Sequence, residues 1–284
     1  MRRPIVKVSF KASCLITCLV LGLGLARPTP AVAQTAEELV ARGRALPQER
    51  EPAEALTLFE QALALDPNNY EANWRASQAL ADLGKQYPDE GKNPHRDSLY
   101  ARAESLARIA VRLDSTDAEG HFVLAVGIGR TSLTKGGKER VRNAKVIRDA
   151  TLRTLEINPN HDRAYHVLGR WNAEIRRLSG LTRFFAKTFL GAAIFNEASW
   201  DQAVEYLNKA VTLSPENIYH RLDLAEVYID VGQYGKAREQ LQVIQELPVF
   251  DYMDPQYQER ARTLLKDIEG KKDKEQEPVS PGSP

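Results

Sequence analysis

The sequence predicts an all-α fold: an α-solenoid of about five helix-pair repeats, with inserted helices and loops and a C-terminal capping helix. Three observations predict it. First, one phrase recurs, as LALDPNNYEANWRASQAL, VRLDSTDAEGHFVLAVG, LEINPNHDRAYHVLGRWNAE and VTLSPENIYHRLDLAEVY. In each copy a helix-like apolar run stops at a turn-forming tetrad and restarts at once, which marks a corner between repeats rather than a single catalytic motif. Second, alanines recur at helix-crossing spacing, in the pairs Ala55 and Ala62, Ala103 and Ala110, Ala203 and Ala210. Third, Phe59, Leu207 and Leu241 provide the bulk that fills the space between such small residues. A helix pair cannot bury its apolar face alone, and stacked neighbours complete the core.

The first 33 residues stand apart. They carry Arg2, Arg3, Lys7, Lys11 and Arg27 and no acid, then the apolar stretch ASCLITCLVLGLGLA, then small residues at Ala31 and Ala33. That order describes a secretory signal peptide at 1–33, cleaved after Ala33. The apolar core is shorter than the ~20 residues of a membrane anchor. Removing this segment lowers Lys+Arg from 39 to 34 against 38 acids, a net charge of −4. A mildly acidic body argues against nucleic acid as the main partner. Cys14 and Cys18, the two cysteines of the chain, lie in the same segment, so the remainder has no thiol for a disulfide or a metal. A periplasmic or secreted location follows.

The solenoid is expected over 34–269. Its first unit, Ala36 to Asn69, fits the ~34-residue period of a tetratricopeptide repeat (TPR), with Gly43, Ala55, Phe59, Ala62 and Pro67 in place. The stop residues Pro67, Ser115, Pro159 and Pro215 are then 48, 44 and 56 apart, so the middle units keep both helices and insert residues between them. Proline ends the second helix of a pair, and Asn or Asp then turns the chain and caps the next helix. The last unit begins near Ile218, with Leu224, Ala225, Tyr228, Gly232, Tyr234, Ala237 and Leu241. DPQYQERARTLLKDIEG reads as the capping helix, with Tyr257, Ala261, Leu264 and Ile268 on one face. The polar, Pro-rich remainder, 270–284, is expected to be disordered.

Three insertions interrupt the units. Gly84 to Ser98 is a polar loop, and Gly129 to Asn143 is basic and contains glycine. Ile175 to Ser199 is apolar, with Phe184, Phe185, Phe189 and Phe195, and is expected to form an amphipathic helix beside Arg183 and Lys187. Packed back, it adds a buried element; left open, it forms a lid or an apolar surface.

The first helix of each pair lines the concave side of a TPR solenoid. The groove-facing positions are Trp74 and Gln78, Phe122 and Val126, His166 and Arg170, and Tyr219, Leu222 and Glu226. This mixture suits an extended peptide, or an apolar ligand with an acidic head held by Arg170. The competing reading pairs Arg170 with Glu174 one turn on.

Motifs for chemistry are missing. TKGGKE fails as a P-loop because Glu139 stands where Ser or Thr belongs, and VGIGRTS lacks the third glycine of a dinucleotide fingerprint. H-E-x-x-H and G-x-S-x-G do not occur. The five histidines, at 95, 121, 161, 166 and 220, suit structural roles better than metal ligation. No catalytic residue, cofactor or metal is expected.

Taken together, HFVLAVGIGR, AYHVLGRWNAEI and FFAKTFLGAAIFNEASWDQAVEYLNKAVTLSPENIYHRLDLAEVY resemble the regulator of microtubule dynamics family, over roughly Tyr70 to Glu269. The resemblance implies a TPR domain and a family role at microtubules; in one branch it implies phospholipid binding by that domain and membrane contact sites. An exported chain meets no microtubules, so the fold and a lipid-accepting groove are what the resemblance carries over. In that case Phe122, His166, Arg170 and the segment from Phe184 to Phe195 are the matching positions. The resulting expectation is an exported, non-enzymatic scaffold that binds a protein or peptide in its groove. The alternative is a lipid-binding or lipid-carrying protein with peripheral membrane contact.

Overall fold

The computed structural model describes residues 34–47, 51–89, 91–190 and 193–274. The expected signal segment lies outside them, as do residues 275–284. Among the described residues there are twelve α-helices and no strand. They pair as α1 (Ala36–Ala45) with α2 (Pro52–Leu65), α3 (Tyr70–Gly84) with α4 (Pro94–Leu113), and α5 (Ala118–Thr131) with α6 (Gly137–Ile157). Next, α7 (Asp162–Arg177) pairs with α9 (Trp200–Leu213), and α8 (Gly180–Leu190) is looped out between them. Finally α10 (Ile218–Asp230) pairs with α11 (Tyr234–Glu246), and α12 (Asp254–Asp267) covers both.

The corners follow from side-chain chemistry. At three of them the first residue, Asp66, Asp114 or Asn158, accepts the backbone N–H two residues on, at 3.0, 2.8 and 3.1 Å. The fourth residue then caps the next helix. Asn69, Asp117 and Asn217 accept from the N–H of Ala72, Glu119 and His220. His161 takes the same place, its Nδ1 accepting from Ala164 at 3.1 Å. Each cap satisfies a donor that the first turn leaves without a helical partner.

Within a pair, glycine lets the helices touch. A Cβ on Gly84 would collide with the Tyr100 ring, and one on Gly169 would lie 2.5 Å from Leu207. Ala103, Ala203, Ala210, Leu207 and Leu241 are fully buried. The large C-terminal core joins Leu207, Ile218, Leu224, Leu241, Ile244 and Ile268, so α12 closes the last apolar face as expected.

Two insertions cooperate. The basic one is mostly helical: α6 begins at Gly137 and runs for 21 residues. Its added turns give Val141, Ala144 and Ile147 to a satellite core with Trp171, Ile175, Ala186, Phe195 and Ala198. The Trp171 indole N–H donates to the Ala144 carbonyl at 2.8 Å. Arg183 on α8 donates to the Arg176 and Leu178 carbonyls at the end of α7, at 2.8 and 2.6 Å. The Phe-rich insertion therefore packs back through Phe195, while Phe184 is exposed. The side chains of Phe185 and Phe189 lie outside the described residues.

Residues 271–274 depart from the expectation of a disordered tail. They run beside the α10–α11 turn, where Asp273 accepts from the Gly235 N–H at 2.7 Å and the Lys274 N–H donates to the Gly232 carbonyl at 3.0 Å. Composition makes a segment polar but does not forbid backbone hydrogen bonds to a free turn.

Candidate functional site

The first helices α3, α5, α7 and α10 form the inner wall, with direct packing of α3 on α5 and of α7 on α10. Their polar residues fall into two clusters, each with a buried centre and a partly exposed edge. In the N-terminal cluster, Arg163 bridges Gln78 at 3.4 Å and Glu119 at 3.1 Å, and its guanidinium stands 4.5 Å over the Phe122 ring. His161 also packs on Phe122, with ring centroids 4.6 Å apart. Burial favours the neutral form of Glu119, but the His161 imidazole 3.4 Å away and the Arg163 charge outweigh it and lower its pKa. Trp74 lies under Arg75 at 4.2 Å.

The second cluster centres on Asp223, which is 3% exposed. One carboxylate oxygen accepts from His166 Nε2 at 2.5 Å and the other from Arg170 at 2.9 Å. Arg170 also reaches the Tyr219 hydroxyl at 3.3 Å and Glu174 at 3.3 Å. Burial alone would raise the Asp223 pKa, but the Arg170 charge and the His166 hydrogen bond hold it well below the usual carboxylate range. Burial pushes His166 down to about 4, against the pull of Asp223, so the neutral imidazole donates from Nε2. His220 packs against His166 with tilted rings 4.7 Å apart and pairs with Asp162 at 3.0 Å. Asp162 is lowered to about 2, because the His220 hydrogen bond and charge outweigh burial.

Several expected groove residues thus meet. Gln78 and Phe122 belong to the first cluster, and His166, Arg170 and Tyr219 to the second. Val126 is half-buried between two apolar clusters. Glu226 pairs with Arg260 on α12 at 3.2 Å, and burial followed by the Asp223 charge raises its pKa. Leu222 is core at 4% exposure, and Phe122 is buried at 3%, so neither offers a free groove surface. A helix this tightly wedged buries a wider stripe than its groove positions suggest. The Arg170–Glu174 pair exists, yet the buried partner of Arg170 is Asp223. Pattern reading passed over Asp223 and Arg163. The signal for Asp223 was an acid between Leu222 and Leu224 in an otherwise apolar stretch, a place where a charge needs a partner.

The inner wall is closed from the far end. The Tyr252 hydroxyl, on the α11–α12 loop, donates to the Asp82 carbonyl at the end of α3, 170 residues away. Tyr257 of α12 stacks on Tyr219 at 4.8 Å.

A model of the regulator of microtubule dynamics protein 1–3 family matches residues 34–269. The chain belongs to this family. The family's protein 3 from Rattus norvegicus is 24% identical over 192 residues, 67% of this chain and 40% of that protein. The family's protein 1 from Bos taurus is 24% identical over 199 residues, 69% of this chain and 60% of that protein. The chain therefore spans less than two thirds of the length of these curated family members. Among solved structures, a thermophilic TPR protein of Thermus thermophilus superposes with a TM-score of 0.59 at 20% identity, covering 82% of this chain and all of that one. That likeness establishes the TPR fold for this family member.

Proposed function

We propose that this member of the regulator of microtubule dynamics family is an exported, non-enzymatic scaffold whose concave face binds an extended segment of a protein partner. The observation that carries the reading is the prearranged inner stripe. Gln78, Arg163, Arg170, Tyr219 and Glu226 are each held by a neighbouring repeat while keeping an exposed edge. Side chains already ordered lose little entropy when a partner arrives. Stacked repeats present such a face over many residues, which suits a chain segment better than a small substrate. Export rests on the basic–apolar–small pattern of residues 1–33.

In-cell photocrosslinking tests this. A benzophenone amino acid placed at Gln78 or Glu226 is expected to yield a discrete protein adduct, whereas the same group at Glu205, on the outward-facing helix α9, is not. Equal yields from all three positions would sink the reading. N-terminal sequencing of the exported chain should begin at Gln34. The lipid alternative lacks a comparable observation: the two prominent clefts are lined largely by charged and hydroxyl side chains. Phospholipid extracted reproducibly from the native protein would reverse that preference.

A further inference from the structure

Most arginines of the inner wall are spent on carboxylates: Arg163 on Glu119, Arg170 on Asp223, Arg177 on Asp230. Arg130 is different. It lies one turn beyond Val126 on α5, and its side chain is only 21% exposed. Among the described residues its guanidinium makes no hydrogen bond, and its ion pair to Asp89, itself half-exposed, spans 3.6 Å. A largely desolvated guanidinium with its donors unused calls for an acceptor.

The surroundings supply more donors and few free acceptors. Arg130 stands 5.9 Å from the Tyr100 ring, and the Tyr219 and Tyr257 phenols are within electrostatic reach. Burial raises the pKa of Tyr100 and of Tyr257, so both stay protonated. The Tyr100 hydroxyl is buried with no hydrogen-bond partner among the described residues. Beside them opens a cleft of about 330 Å³ lined by Tyr100, Arg108, Arg130, Thr131, Thr134 and Lys135. The carboxylates in its wall are committed: Glu104 to Arg108 and the Thr131 hydroxyl, both at 2.6 Å, and Asp97 to Arg96 at 2.8 Å.

We infer that Arg130 and the α4–α5 cleft form an anion subsite that receives a carboxylate side chain from an acidic segment of the partner. This rests on the chain being a partner-binding scaffold, and places the subsite at the rim of the inner wall, where α4 and the end of α5 meet. The guanidinium fork matches the two oxygens of a carboxylate. Arg108 and Lys135 are paired with Glu104 and Glu139, and Arg130 is the most loosely held of the three, with only the 3.6 Å pair to half-exposed Asp89 and no hydrogen bond. One such charge suits a singly charged carboxylate better than a doubly charged phosphate. The volume suits one or two side chains rather than a whole small ligand.

The test is fluorescence anisotropy of the full chain with a fluorescein-labelled hexaglutamate peptide. Wild type is expected to bind it, less tightly at high salt, and to ignore hexaglutamine. Arg130→Gln should weaken binding at least tenfold and Arg130→Lys about threefold, with unchanged circular dichroism. Arg153→Gln, in an exposed ion pair on α6, should change nothing. The subsite is overturned by failure of wild type to bind hexaglutamate, by equal affinity of Arg130→Gln, or by displacement of the peptide by inorganic phosphate at the peptide's own concentration. Crosslinked adducts from Gln78 that persist alongside any of those results would leave the scaffold reading standing and remove only the subsite.

Discussion

Asp223 shows what a single buried charge commits the protein to. Both its oxygens are bonded, one to His166 and one to Arg170, and the residue is almost wholly shielded from solvent. Removing one partner of such a group strands the others, at a cost of about 3–5 kcal/mol. Asp223→Ala is therefore expected to destabilise the chain by that order in urea unfolding, more than Glu174→Ala, which breaks two exposed pairs, to Arg170 and Arg177. The pH dependence has a definite sign. His166 is lowered to about 4 in the folded chain, so an unfolded chain takes up its proton first, near pH 6.5. Its contribution to stability is complete above that pH and is lost between about pH 6.5 and 4. Asp162, lowered to about 2, and Asp223, lower still, add losses that begin only below about pH 4. His166→Gln should remove the first loss and leave the second, as read from urea midpoints across pH. The glycines act through volume instead. Gly169→Ala drives a Cβ to 2.5 Å from Leu207 and toward the Ala203 carbonyl at 3.2 Å. A loss of about 1–3 kcal/mol is expected.

At the scale of elements, the α11–α12 loop carries strain of an electrostatic kind. Burial pushes Asp251 up to about 6, with Asp82 and Asp254 adding to the rise and the Met253 hydrogen bond and Lys85 opposing it. A raised carboxyl pKa means the folded chain holds a proton that the unfolded chain has lost, so stability falls as pH rises from about 4 to 6. Asp251→Asn keeps an acceptor for the Met253 N–H, which now bonds at 2.7 Å. It is expected to raise stability by about 1 kcal/mol at pH 7, after solvent screening, and by nothing at pH 4. Thermal melts at the two pH values read this directly. The α6 extension and α8 are coupled through packing, because each leaves the satellite core half-covered without the other.

For the whole molecule, the telling contact is Tyr252 with the end of α3. It ties the last repeat to the second. Tyr252→Phe should cost about 0.5–1.5 kcal/mol and loosen this closure. The chain from Gln34 onward has no cysteine, so spin labels at Gln86→Cys and Gln256→Cys report the separation without interference. The distance distribution is expected to be narrow in the parent and broad in Tyr252→Phe. An unchanged distribution would mean that closure is held by the stacking of the repeats alone.

The repeat, its corners, the small residues at helix crossings and the capping helix were all legible in the residues themselves. Each depends on chemistry within a few positions along the chain: a proline that stops a helix, an Asp or Asn that caps the next, an alanine or glycine where two helices meet. His161 as a cap was less visible, since histidine resembles Asn only through one ring nitrogen. Which charges meet was not legible. Asp223 and Arg170 are 53 residues apart, and Tyr252 and Asp82 are 170 apart. Their pairing depends on the curvature accumulated from repeat to repeat, to which insertions of irregular length contribute. Local sequence determined that this chain forms stacked helix pairs of the TPR kind. The tertiary structure alone decided that the inner wall closes on itself, saturates Arg170 and leaves Arg130 with its donors unused, because small rotations at each stacked interface sum over the whole solenoid.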